Sequence, residues 1–289
     1  MKHNFKPAML ALAGVVAFTS QAMAAITIES GGLAVAFYST NPLETNTYVF
    51  DLGKGADFRE NTGYNVPVTT VNTALTSANI GADLVSNFGA DWYNTGDVRW
   101  YIVGTVNAGA AVDSDPARTS YYSLARNSYA ASTTWGSTLS STQRGTLNTQ
   151  ISNFNAGTNN AAAQTVGNNG AGAVIAKSSP QSADEYVLPA NLNAFGINID
   201  PQQTFGAGSI TDAPVGSLEG ALDIYRIIHT TTGADLTAGY SPTNAVAGSG
   251  QYIGTLAINS SGLLTVIPEP SSMLLGLAGA LGLCVRRRR

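Results

Sequence analysis

Asp223, Tyr225 and His229 stand at even spacings in the stretch LDIYRIIHT, so a strand there would set a carboxylate, a phenol and an imidazole on one face. Asp97 and Asp200 are further acids in strand-like stretches. Glycoside hydrolysis needs two carboxyl groups about 5–10 Å apart, and these are the candidates for such a pair. A Ser-His-Asp site would have to use His229, because His3 lies in the leading segment. No Gly-x-Ser-x-Gly elbow supplies its serine. The competing reading is a strand edge with an exposed histidine and an Asp223 that is solvated or paired with Arg226. Asp113 and Asp115, in VDSDPARTS, have the spacing of the first ligands of a calcium loop. The later glycine and bidentate glutamate of such a loop are missing, and a turn before Pro116 explains the same residues. Calcium is thus the one cofactor with any support. One body histidine and no body cysteine leave zinc catalysis without a ligand set.

Aromatic side chains offer another chemistry. Trp92, Tyr93 and Trp135 fall in turn-rich stretches, where an exposed ring can stack on a sugar face. Trp100 falls inside an alternating stretch and is expected in the core. DLGKG at 51–55 lacks the full Gly-x-x-x-x-Gly-Lys-Ser/Thr pattern of a phosphate loop.

Positioning these groups falls mostly to strands. LAVAFYST from Leu33, TYVFDLG at 47–53, DVRWYIVGTV at 97–106, NLNAFGINID at 191–200 and GALDIYRIIHT at 220–230 alternate apolar and polar residues with period two. QYIGTLAI and LLTVI are split by Asn259-Ser260-Ser261-Gly262, a hairpin signal. Helical spacing is confined to 72–89, interrupted by Gly81, and to 141–155, where Leu147, Ile151 and Phe154 recur and Ser140 or Ser141 can cap. Residues 155–179 are poor in bulky apolar side chains and read as a loose segment, a candidate boundary between 25–154 and 180–267. The expected class is mainly β, an antiparallel β-sandwich of jelly-roll type with one to three short helices.

The two ends set the compartment. Lys2 and Lys6 precede an apolar run, and Ala22 and Ala24 occupy the small-residue positions before Ala25. Residues 1–24 read as a signal peptide that signal peptidase removes before Ala25. At the other end, Pro268, Glu269 and Pro270 precede an uncharged run within 271–285, and Arg286, Arg287, Arg288 and Arg289 follow. Prolines fix φ and lack an N–H, so the triplet cannot be helical. The run is short for a hydrocarbon core of about 30 Å. The terminal arginines favour the cytoplasmic side and can snorkel. One weak transmembrane helix results, with the body outside.

Removing Lys2, Lys6 and the four terminal arginines from 14 Lys and Arg leaves eight in the body. Removing Glu269 from 18 acids leaves 17, so the body carries a net charge of −9. That balance argues against nucleic acid or an anionic membrane surface as a partner, since each needs a basic patch. The one cysteine, Cys284, lies in the tail, so the body has neither disulfide nor thiol nucleophile.

The triplet, the single span and the basic end, in that order over residues 268–289, resemble a PEP-CTERM sorting signal. The resemblance implies export through the inner membrane of a Gram-negative bacterium, transient anchoring, cutting by an exosortase near Pro-Glu-Pro, and a final place at the cell surface or outside. The body at 25–267 also resembles that of uncharacterised tagged proteins of the same class, through AVAFYST…NTYVFDLG, the late LDIYRI and the closing GTLAINSSGLLTV. The expected function is non-enzymatic, structural or adhesive, linked to exopolysaccharide or biofilm. The alternatives are a carbohydrate-binding module using Trp92, Tyr93 or Trp135, and a secreted glycan hydrolase.

Overall fold

A computed structural model describes residues 26–60, 66–126, 135–136, 138–160, 165–166, 171–176, 187–205, 220–229 and 247–267. The expected signal peptide at 1–24 and the tail at 268–289 lie outside the described residues. The chain runs β1 (Gly32–Ser39), β2 (Asn46–Lys54), α1 (Gly55–Glu60), β3 (Val66–Pro67), α2 (Val68–Val71), α3 (Gly81–Phe88), β4 (Val98–Thr105), β5 (Ser120–Ala125) and α4 (Ser141–Asn160). It continues with β6 (Thr165–Val166), β7 (Gly172–Ala176), β8 (Gln203–Thr204), β9 (Ala221–Ile227), β10 (Gly250–Ile258) and β11 (Leu264–Ile267). The architecture is mainly β and its strand pairs are antiparallel. The strands form one curled sheet in the order β3-β11-β10-β9-β5-β4-β1-β2-β7-β6, with β8 added to β4. The layers expected of a sandwich are therefore flanks of one continuous sheet. Strands from before and after 155–179 share it, and β9 pairs directly with β5.

Alternation fills both faces. Leu33, Val35 and Phe37 of β1 join Phe50, Trp100, Ile102, Leu222, Ile224, Leu256 and Val266 in the larger core. Phe58 of α1, Val68 of α2 and Leu84 of α3 cover that core. On the other face, Ala34, Ala36, Tyr101, Val103 and Ile227 meet Leu147, Ile151 and Phe154 of α4. Such two-sided burial is unusual for antiparallel sheets, which commonly leave one face wet. It explains why β1 is buried at every residue.

The elements depart from expectation in several places. The long helix runs to Asn160, beyond the expected 155, and α4 with 20 residues is not short. Ser140 caps it reciprocally: the Gln143 N–H donates to Ser140 Oγ at 3.3 Å, and the Ser140 N–H donates to Gln143 Oε1 at 2.9 Å. Within the supposedly loose 155–179, residues 172–176 form β7 and pair with β2. Residues 191–200 are not a strand. A helical turn at Pro189–Leu192 and a 3-10 turn at Asn193–Phe195 replace it, with Leu192 and Ile197 tucked under the α4 side. The helix expected over 72–89 is confined to Gly81–Phe88, because residues 78–80 pair with the β10–β11 turn instead.

That docking closes the curl. The Ile80 N–H donates to the Gly262 carbonyl at 3.0 Å, and Asn79 bridges to Leu263. On the opposite flank, Tyr48 Oη of β2 donates to Asp83 Oδ2 of α3 at 2.8 Å. A Cβ on Gly81 would run into the Ser261 carbonyl oxygen, a backbone atom that cannot swing away. Gly81→Ala is expected to destabilise the fold by about 1–3 kcal/mol, the usual cost of overpacking, read as a lower urea midpoint with unchanged slope.

Candidate functional site

Strand β9 carries most of the candidate chemistry, and the structure separates its groups by face. Asp223 is fully buried and held from two sides. Arg126 Nη1, beyond β5, donates to its Oδ1 at 3.0 Å, and Thr255 Oγ1 of β10 donates at 2.7 Å. Its cationic partner is thus Arg126, not Arg226. Tyr225 shares the Asp223 face, as the spacing predicts, but it is buried among the rings of Trp135 and Tyr252. His229 lies past the strand end, half-buried beside Gly145 of α4. Burial lowers its pKa first, and Arg118 and Arg144 lower it further. Asp97 sits just before β4, and exposed Asp200 accepts the Gln202 N–H at 3.1 Å in a local turn. The hydrolytic trio is not assembled around Asp223, whose oxygen is engaged by a guanidinium and a hydroxyl.

The expected calcium loop has a different architecture. Val112 and Asp115 exchange backbone hydrogen bonds of 3.0 and 2.8 Å. Asp113 and Ser114 between them adopt positive φ, 48° and 66°. This two-residue reversal splits the carboxylates. Asp113 reaches Lys54 at 2.9 Å in a partly exposed pair. Asp115 turns inward and is 1% exposed. Its Oδ1 accepts from Arg59 Nη1 of α1 at 2.5 Å and from Arg226 Nε of β9 at 2.6 Å. Its Oδ2 accepts from the Tyr121 hydroxyl of β5. Guanidiniums take the place a cation would have filled. No cluster of three or more His, Cys, Asp or Glu suited to a metal occurs among the described residues. Sequence reasoning missed Arg59 and Arg126 altogether. The one available signal was the scarcity of body cations in a chain with several apolar strands, since a charge inside such a strand needs a buried partner.

The aromatic candidates divide. Trp92 is fully buried in the larger core, edge-on to Phe205 with centroids 5.1 Å apart, and presents no face to a solvent ligand. Tyr93 is half-buried against it. Trp135 is half-buried, tilted over Tyr225 with centroids 5.3 Å apart, and packs on Gly250. The three do not form one platform. In the DLGKG stretch, Asp51 Oδ1 accepts the Gly53 N–H at 2.9 Å, which closes the passage from β2 to α1.

The C-terminal edge completes the picture. β11 pairs with β10 from Thr255–Ile267 to Ile258–Leu264; away from β10 it meets the two residues of β3, and its Leu264 N–H donates to the Ala78 carbonyl at 2.9 Å. Ile267 is the last strand residue, and Pro268 follows without an intervening spacer. Among the described residues no helix is long and apolar enough to cross a membrane, and the candidate span 271–285 lies outside them.

A family model described as the PEP-CTERM protein-sorting motif matches residues 266–289. No curated protein matches the chain, and no solved structure does.

The buried carboxylate gives two expected outcomes. Asp115→Ala removes the buried carboxylate that two guanidiniums share and should cost about 3–5 kcal/mol in urea unfolding, whereas Tyr121→Phe should cost about 1 kcal/mol. Burial, then Asp115, raises the Tyr121 pKa well above 10.0. Burial, then Asp83, does the same for Tyr48. A group whose pKa rises on folding stabilises the fold below its unfolded pKa and loses that contribution as pH rises. Phenolate absorbance of these tyrosines should therefore appear only with cooperative loss of structure above pH 10.0.

Proposed function

We propose a function from the premise that the chain is a PEP-CTERM protein, an exported exosortase substrate sorted to the cell surface of a Gram-negative bacterium. The observation that carries the proposal is the sorting motif itself, matched over 266–289 and joined to the body at the end of β11. In this reading signal peptidase removes 1–24, and 271–285 anchors the chain until the exosortase cuts near Pro268–Pro270. The body, a curled β-sheet in its described part, then serves as a non-enzymatic structural or adhesive component in contact with extracellular polysaccharide. Two features support a role without catalysis. The buried acids Asp115 and Asp223 are engaged by arginines rather than directed at a cleft. The tyrosines nearest them have pKa values raised by burial, which leaves them unable to act as bases near neutral pH.

Intact mass of the chain from envelope and medium tests the sorting step. Wild type should lose the segment that follows the Pro-Glu-Pro region. A variant with Pro268→Ala, Glu269→Ala and Pro270→Ala should stay uncut in the inner membrane. Co-sedimentation with polysaccharide from the same cells tests the body. Binding with no change in polymer length is expected, and shortening of the polymer would replace the structural role with hydrolysis.

A further inference from the structure

Cations are scarce in this body, and most of its described arginines have visible structural work. Arg59 and Arg226 grip Asp115, and Arg126 grips Asp223. Arg118 and Arg144 behave differently. Neither takes part in an ion pair among the described residues. Both bear on His229, and among the described residues no acid is counted with them.

Strand pairing explains the convergence. Ser120 of β5 faces Ile227 of β9, so Arg118 and His229 each lie two residues beyond that pair, at the same end of the ladder. The first turns of α4 pack over this end, and the Gly145 Cβ position lies 3.7 Å from His229 Cε1. Arg144 Nη1 donates to the Leu139 and Ala247 carbonyls at 2.7 and 3.2 Å, which fixes its guanidinium without neutralising it. Arg144 Nε and His229 Nδ1, both buried, have no hydrogen-bond partner among the described residues.

Three observations make this arrangement unfavourable as plain structure. Two cations act on one imidazole with burial, and all three disfavour its protonated form. Arg144 occupies the start of a helix, the end where the backbone dipole disfavours positive charge. Arg118 is third in a turn closed by the Thr119 N–H and the Pro116 carbonyl at 3.1 Å, and it adopts φ 64°, where glycine or asparagine is easier. A strained backbone that carries an exposed arginine with no ion pair among the described residues is the pattern of a functional side chain.

We infer that Arg118, Arg144 and His229 form a binding site for an anionic group, the carboxylate of a uronate unit in an acidic polysaccharide. The inference rests on the polysaccharide reading above and specifies the class of polymer. Arg118 supplies the planar, bidentate donor that suits a carboxylate. His229 adds a ring nitrogen, and Arg144 adds fixed positive charge. A bound carboxylate offsets the positive charge of the two arginines.

The test is binding of the full-length chain to polygalacturonate, to neutral dextran and to inorganic sulfate at constant ionic strength. Wild type is compared with Arg118→Gln, Arg118→Lys and His229→Gln. Polygalacturonate affinity should fall about tenfold in Arg118→Gln, the loss of one charge-assisted contact, and fall less in Arg118→Lys. Dextran should bind weakly and equally to all forms. The thermal midpoint of Arg118→Gln should stay at or above that of wild type, which separates a lost contact from a lost fold. Unchanged polygalacturonate affinity in Arg118→Gln would overturn the site and leave the polysaccharide reading standing. Equal affinity for dextran and polygalacturonate would overturn anionic recognition alone. Sulfate binding that depends on Arg118, with neither polymer bound, would overturn the polymer as ligand together with the reading beneath it.

Discussion

The carboxylate of Asp115 is the point on which the rest of the fold depends. Arg226 sits on the core-facing side of β9, in line with Leu222 and Ile224, where an isolated cation would be intolerable. Arg59 enters the same space from α1, which follows β2 on the far flank of the sheet. Asp115 meets both, and Tyr121 donates to its remaining oxygen. Arg226 also reaches Gln251 of β10 at 3.3 Å, and Arg59 Nη2 reaches the Asp113 carbonyl at 2.8 Å. One short reversal thus binds α1, β5, β9 and β10. Buried ion clusters of this kind contribute little net stability, because desolvation offsets the attraction. Their effect is to make every arrangement that separates the partners costly.

β9 uses that effect twice. Arg226 faces one core and Asp223, three residues earlier, faces the other side of the strand. Each finds its counter-charge on a different element, Asp115 for the first and Arg126 for the second. A one-residue slip of β9 would exchange the faces and strand both charges. Hydrophobic patterning alone fixes this register poorly, because β9 is buried on both faces and apolar residues serve either one. The charges supply the information that the apolar pattern lacks. In a body with so few cations, three of the arginines serve this purpose, and that sharpens the contrast with Arg118, which has no ion pair among the described residues.

Much of the sheet was legible from period two alone. β1, β2, β4, β9 and the β10–β11 hairpin lie where alternation put them, and Gly262 has the positive φ the turn required. β5 was not recognised, because SYYSLA has small polar and aromatic residues on both faces and no visible alternation. β7 was hidden in a glycine- and alanine-rich stretch whose small side chains fit under its neighbours. The 191–200 stretch alternates well, but Pro189 starts a turn there and the burial of Leu192 comes from packing on the α4 side. Trp92 could not be placed by local sequence, since Phe37 and Phe205, which enclose it, come from distant parts of the chain. The same holds for the partners of Asp115 and Asp223. Ion pairing is a tertiary property, and only the types of the charged residues were visible beforehand. The sorting signal was legible in full because its recognition lies in residue order and needs no fold.

That signal and the fold meet inside one strand. Val266 and Ile267 belong to the matched motif and also pair with Leu256 and Thr255 in the sheet. Pro268 has no N–H to continue the ladder, and it favours extended backbone at the residue before it, so the first proline of the triplet both permits β11 and ends it. No spacer separates the folded edge from the residues an exosortase reads. β11 is short, and it is held away from β10 by the two residues of β3, one of them Pro67, and by the Ala78 carbonyl, which accepts the Leu264 N–H. All four residues of β11 are buried, and Leu264 and Val266 lie in the larger core, so the residue before Pro268 is fixed by the body's own packing. The sorting signal therefore follows directly on a packed strand that is paired on both sides.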